Sequence, residues 1–203
     1  MTMSVDGQVL SGELNDSAIL PKESYAVIAA SDDVDGDSLI LGSAISPSLR
    51  VIVCEGGKVN PGWKVFSDFT SMLILCTNRK IPDRTARRLP SYVQILQFPN
   101  KEIPIDSLLG LLRSFWGVKT LFHECGGSPD LLKKLLSADA LDELQVKLSP
   151  VLGGSNIFMT PDGLTGGFLP KDRRFQLLSV KEVSDSIHLR YRLSAGSAKA
   201  RRA

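Results

Sequence analysis

Lys119-Thr-Leu-Phe-His-Glu-Cys-Gly-Gly-Ser-Pro-Asp-Leu-Leu132 decides the fold. A β-type apolar run ends at Glu124, Gly126 and Gly127 follow, and a helix opens at Ser128 with Pro129 in its first turn. Such a passage leaves the first amides of the helix without intrahelical partners. It also aims the positive end of the helix dipole at the carboxyl end of the strand. Glycines at that point lack the Cβ atoms that would hold a phosphate away from those amides. The stretch reads as an anion cradle at a strand end. It is not the G-x-G-x-x-G dinucleotide fingerprint, and a tight strand-to-helix turn with no ligand gives the same pattern.

Working outward, Val51–Cys54, Met72–Cys76, Val93–Leu96 and Leu121–His123 are short β-type apolar runs, and Leu39–Leu41 is a shorter one. Gly42, Pro47, Asn78, Pro82, Pro90 and Pro99 mark boundaries around them. Helical spacing is found between them. Ser24–Ala30, after Pro21, suits a first helical segment. Asp106 stands as N-cap ahead of an apolar face of Leu108, Leu109, Leu111, Leu112 and Phe115, and Ser128 as N-cap of Ser128–Leu136. Strands alternating with helices predict an α/β protein with a mostly parallel central sheet flanked by helices. After Leu141 the character changes to alternation, in Leu144–Leu148, Phe175–Val183 and Ile187–Leu193. These predict half-buried antiparallel strands closing one side of the sheet. With no repeat and no low-complexity linker, the expectation is one domain over residues 1–193 and a flexible tail over 194–203.

Composition excludes several function classes. A chain of 203 residues with 43% hydrophobic content can bury roughly 70% of its unfolded surface without staples. With 24 basic and 22 acidic residues the net charge is +2, too small a field to steer the chain onto nucleic acid or anionic lipid. The terminal Lys199, Arg201 and Arg202 sit among small polar residues and read as a frayed tail. No signal peptide is visible at the start, and no apolar run approaches membrane-spanning length. Cys54, Cys76 and Cys125 are odd in number, lack C-x-x-C spacing and lie in or beside apolar runs. They read as reduced thiols in a cytoplasmic protein.

Other residues with chemical potential carry plainer readings. His123 and His188 share no ligand spacing with the cysteines, so no metal site is expected. Cys125 and His123 share a side of one strand but have no orienting acid for a nucleophilic pair. Asp142 and Glu143 are adjacent and mark a helix-to-strand connection, and Arg84, Arg87 and Arg88 read as a solvated face. The glycine-rich Asp162–Gly167 is a surface loop or a lid.

A longer pattern is more specific. Glu124-Cys-Gly-Gly-Ser128, then Leu131-Leu132, Leu135-Leu136, Leu141-Asp-Glu-Leu144 and Ser149-Pro-Val-Leu-Gly-Gly154 follow in fixed order. This run resembles the riboflavin-biosynthesis pyrimidine reductase domain, the C-terminal reductase domain of the bifunctional deaminase/reductase, which has a dihydrofolate reductase-like fold. Met3-Ser-Val-Asp-Gly7 is similar to that family's S-L-D-G motif, Asp37–Gly42 to its D-A-I-L-V-G strand, and Leu49–Val53 to its L-R-I-V-V strand. The resemblance implies that Glu124 contacts the substrate ring and that Ser4 and Asp6 lie at the mouth of the cleft. It implies that Gly126, Gly127, Ser128, Pro129, Asp130, Leu131 and Leu132 wrap the phosphates of NADPH. Gly42 and Ser43 would allow close approach of the cofactor, and Glu55-Gly56-Gly57 would line its adenosine side. Lys22, Arg50, Arg173 and Arg174 are candidates for the ribose phosphate.

The implied activity is NADPH-dependent hydride transfer to C1 of an opened ribose in a phosphorylated pyrimidine ribosylamine, carried by a homodimer that meets neither nucleic acid nor membrane. Two alternatives stay open. One is a diverged, non-catalytic ligand- or partner-binding member of the same fold, favoured by the short Gly42–Leu49 link. The other is an NADPH reductase of another small heterocycle.

Overall fold

A computed structural model describes residues 2–4, 9–10, 26–30, 49–67, 69, 71–123, 130–150 and 175–193. Its strands are β1 (Thr2–Ser4), β2 (Val9–Leu10), β3 (Ala26–Ala30), β4 (Leu49–Cys54), β5 (Met72–Thr77), β6 (Val93–Gln97), β7 (Leu121–His123), β8 (Glu143–Ser149), β9 (Phe175–Val183) and β10 (Ser186–Leu193). Its α-helices are α1 (Asp83–Ala86), α2 (Ile105–Trp116) and α3 (Asp130–Ser137). The chain divides into two compact units, Glu13–Leu131 and Met1–Gly12 with Leu132–Ala203.

The first unit is a five-stranded sheet in the order β6-β5-β4-β3-β7, parallel throughout. Its strands read as continuous apolar runs because parallel strands are covered on both faces. Every residue of β4 is buried, and Ile28, Ile52, Ile74 and Leu75 are at zero exposure. One face packs Val27, Ile52, Leu73 and Leu75 with Trp63, Val65, Phe66 and Ile81 from the connections. Burying each such aliphatic side chain contributes about 1.5–3 kcal/mol relative to leaving it exposed. α2 buries Ile105, Leu108 and Leu112 and ends at Gly117, whose φ of 64° gives the left-handed cap that stops the helix.

The second unit holds the sheet β2-β1-β8-β10-β9. β1 runs parallel to β8, and β8, β10 and β9 are successively antiparallel. α3 contributes Leu132 and Leu136 to a core with Leu193, bordered by Leu141, Leu144 and Phe175. Glu143, at the start of β8, accepts from Arg190 at 2.6 Å and faces Arg192 at 3.8 Å.

Three expectations change. Ser24–Ala30 has helical spacing, but Ala26–Ala30 forms the interior strand β3. Five apolar residues covered on both faces show neither helical nor strand periodicity, so the pattern could not separate the two. Ala26–Ala30 lies between β4 and β7, and Asp37–Gly42 and the Gly42–Leu49 link lie outside the described residues. Asp106 is not the N-cap of α2. Pro104 holds that position, and Asp106 sits in the first turn, where its charge complements the dipole. The late antiparallel strands do not extend the parallel sheet, and among the described residues they pair with each other and with β1. Leu39–Leu41, the Ser128 cap and the tail 194–203 lie outside the described residues.

Candidate functional site

Strand order locates the crevice. From β3 the chain steps outward through β4 and β5 to β6, and after α2 it returns on the opposite side of β3 as β7. In open parallel sheets ligands bind beyond the carboxyl ends of the strands at such a reversal, here between the ends of β3 and β7. Ala30 and His123 are the last residues of those two strands, and His123 stands one register step beyond Phe122, opposite Ile28.

His123, the last residue of β7, carries a buried polar atom. Its Nε2 has no hydrogen-bond partner among the described residues. Burial lowers its pKa from 6.5 to about 4, so the ring is neutral at pH 7 and offers one donor and one acceptor. The chain then passes through residues 124–129 to α3, whose first residue, Asp130, is exposed. Leu131 and Leu132 are 1% and 5% exposed. Their side chains belong to the interior, which leaves only their backbone amides for a phosphate.

The next strand end along the sheet is fixed by side-chain bonds. After β4, Glu55–Gly57 forms a 3₁₀ turn in which Gly56 and Gly57 have φ of 83° and 67°. These left-handed values suit glycine. A Cβ on Gly57 would lie 3.1 Å from the Arg79 carbonyl oxygen, so the β4 and β5 ends approach closely there, whereas Gly56 faces open space. The Gly56 N–H donates to Asn78 Oδ1 at 2.7 Å, and Asn78 Nδ2 donates to the Lys101 carbonyl at 2.6 Å. Glu55 Oε1 accepts the Ile103 N–H at 3.1 Å. Lys58, Arg79 and Lys101 are exposed on the same three connections.

Of the residues expected at the site, Glu55 and Gly56 are at the carboxyl edge of β4, and Asp130 and Leu131 open α3 beyond β7. Ser4 ends β1 in the other unit, opposite Ser149, and Leu132 falls in that unit as well. Asp6, Gly42, Ser43, Glu124, Gly126, Gly127, Ser128 and Pro129 lie outside the described residues. So do Lys22, Arg173 and Arg174. Arg50 is 2% exposed within β4, which removes it as a surface anchor for a phosphate. The pattern missed Asn78, which it treated only as a strand boundary, and gave His123 no ligand role. Among the described residues no three histidine, cysteine or acidic side chains are placed to hold a metal, and no helix is long and apolar enough to cross a membrane.

The fold is shared with solved riboflavin-pathway proteins. Saccharomyces cerevisiae riboflavin biosynthesis reductase Rib7 matches with a TM-score of 0.69 at 15% identity, over 95% of this chain and 87% of that one. Acinetobacter baumannii RibD matches at 0.65 and 21% identity over 96% of this chain, which spans 56% of the length of that protein. A pyrimidine reductase-like protein of Corynebacterium diphtheriae matches at 0.65 and 14% identity, over 96% of this chain and 90% of that one. No curated protein matches the sequence. The family model of the RibD C-terminal domain matches residues 1–189, spanning both sheets and the reversal crevice. The chain belongs to the RibD C-terminal domain family.

Proposed function

We propose that this chain is an NADPH-dependent reductase of a phosphorylated pyrimidine ribosylamine, the activity for which its family and its riboflavin-reductase neighbours argue. The observation that carries the reading is the reversal of strand order at β3 and β7, with β7 followed in the sequence by a glycine pair and α3. NADPH, when bound, supplies a hydride to C1 of the opened ribose, and a proton completes the reduction. The chain's own residues bind and orient. The amides from Gly126 through Leu132 hold the phosphates, Glu55–Gly57 lies along the adenosine, and Gly42 and Ser43 let the cofactor come close. Glu124 accepts from the pyrimidine ring, and Ser4 and Asp6 line the mouth. Exposed Lys58, Arg79 and Lys101 around Glu55 favour a cofactor carrying a 2′-phosphate, hence NADPH over NADH. The buried, reduced thiols of Cys54 and Cys76, the latter with its pKa pushed up to about 12 by burial, support a reducing, cytoplasmic setting. We assign residues 1–193 to one reductase-like module and 194–203 to a tail.

Calorimetric titration tests the cofactor. Saturable binding of NADPH, tighter than NADH, is the expected result, with Gly127→Val weakening it by about 1 kcal/mol or more because a branched Cβ intrudes on the phosphate. No binding at millimolar NADPH would reject the reading. Product analysis then separates reduction of the pyrimidine ribosylamine from reduction of another small heterocycle.

A homodimer belongs to the same proposal. β9 is the outer strand of its sheet among the described residues, and Leu177, Val180 and Ile187 share one face of the β9–β10 ribbon at 50%, 57% and 44% exposure. Alternation in β10 does not sort burial by face, since His188 is 8% exposed and Ile187 is open. The open apolar residues are what a second copy would cover. Light scattering at tens of micromolar is expected to give a dimer mass, and Val180→Lys a monomer. A monomeric native protein contradicts it.

A further inference from the structure

The carboxyl edge of the parallel sheet carries a brace that the phosphate cradle does not explain. Three successive connections, after β4, β5 and β6, meet there. Asn78 reaches both of its neighbours, accepting from Gly56 N–H at 2.7 Å and donating to the Lys101 carbonyl at 2.6 Å. Glu55 joins the first connection to the third through Ile103 N–H at 3.1 Å. Thr77 Oγ1 lies 2.8 Å from the Arg79 carbonyl and 3.2 Å from the Arg79 N–H, holding the Asn78 backbone in place from both sides.

The brace has one exposed product. With its N–H drawn inward, Gly56 presents a flat peptide with no atom within 4 Å of where a Cβ would stand. A left-handed glycine costs more backbone entropy to fix than any other residue, so an exposed one stays put only if something pins it. Asn78 is that pin. A flat, fixed and uncovered peptide at the carboxyl edge of a parallel sheet suits a planar heteroaromatic base laid against it.

We propose that Asn78 is a positioning residue for the cofactor, holding the Glu55–Gly57 turn as the platform on which the adenine end of the dinucleotide rests. This rests on the reductase reading above. Asn78 touches neither the reacting carbon nor the hydride, so its loss acts on cofactor binding and spares the chemical step.

The test compares native protein with Asn78→Ala, which gives up both bonds, Asn78→Gln, which moves the amide one methylene outward, and Asn78→Asp, which keeps the acceptor for Gly56. The expected result is a rise of fivefold or more in the NADPH Kd and KM for the Ala and Gln variants, and less than threefold for Asp. In all three, kcat and the pyrimidine-substrate KM stay at native values. If the Ala variant does not fold, the Gln variant carries the comparison. Native NADPH affinity in the Gln variant overturns the proposal, as does equal loss of cofactor and substrate affinity in Ala and Asp alike, the mark of a merely structural role. Failure of the native protein itself to bind NADPH would instead remove the reductase reading, so the two failures are distinct.

Discussion

Lowering the pH from 7 to 4 is expected to cost the native protein about 3 kcal/mol of stability through His123 alone, a loss that His123→Leu escapes. In the unfolded chain the imidazole takes its proton near 6.5, whereas burial holds the folded-state value at about 4. Between those values the unfolded state binds the proton and the folded state does not, so acid draws the equilibrium toward unfolding. The stability is complete above about 6.5, falls with pH through the window, and is gone once the pH is below about 4. A gap of about 2.5 pH units at about 1.4 kcal/mol per unit gives the magnitude. Leucine suits the position because the neighbouring register partner on β3 is Ile28. Urea unfolding at pH 7, 6, 5 and 4 checks it, since every other titrating group is common to both proteins. The native and variant stabilities should diverge by about 1.4 kcal/mol for each unit below 6. Parallel pH profiles would show that His123 is hydrated or partnered in solution.

How much of this was legible in the sequence depends on the range of the signal. Val51–Cys54, Met72–Cys76, Val93–Leu96 and Leu121–His123 were readable as strands, because each is an apolar run ended by a residue that breaks the ladder. Their parallel pairing was read from the alternation of strands with helices, of which the Leu108–Phe115 segment lies between Val93–Leu96 and Leu121–His123. Ala26–Ala30 was not readable, because an apolar run covered on both faces has no polar period and, unlike for Val51–Cys54, the Pro21 ahead of it also suits the start of a helix. The cradle was read from a strand end, glycines and a helix start that are contiguous in the sequence, and its glycines lie outside the described residues. The brace was not legible: Gly56 and Asn78 are 22 residues apart, and Glu55 and Ile103 are 48 apart. Nothing in Asn78 alone distinguishes a loop residue from a hub. For Leu131 and Leu132, amphipathic spacing with Leu135 and Leu136 commits the side chains to the interior, so only their backbone amides are left for the cofactor contact that the motif implies.

Replacing Glu124 by glutamine is expected to reduce kcat/KM for the pyrimidine substrate by about 5- to 150-fold, with NADPH affinity level or slightly tighter. In the sequence Glu124 directly follows β7 and precedes the glycine pair. A carboxylate beside the amino end of a helix is held in its ionised form by the dipole. Set against a cofactor phosphate, the same charge is repulsive, so it needs a partner rich in donors. A pyrimidine with amino and ring N–H groups is such a partner. Glutamine keeps the size but puts an NH₂ where one acceptor oxygen stood, leaving a substrate donor facing a donor. A mispaired buried donor costs about 1–3 kcal/mol, which sets the range of the rate loss. Removing the negative charge also relieves repulsion with the phosphates, so the cofactor Kd should not rise. Steady-state kinetics on both substrates, with a cofactor titration and a melting curve, separate the outcomes. A tenfold rise in the NADPH Kd with the substrate KM intact would assign Glu124 to the cofactor instead. Loss of the folded state would make it a structural carboxylate that caps the turn into α3.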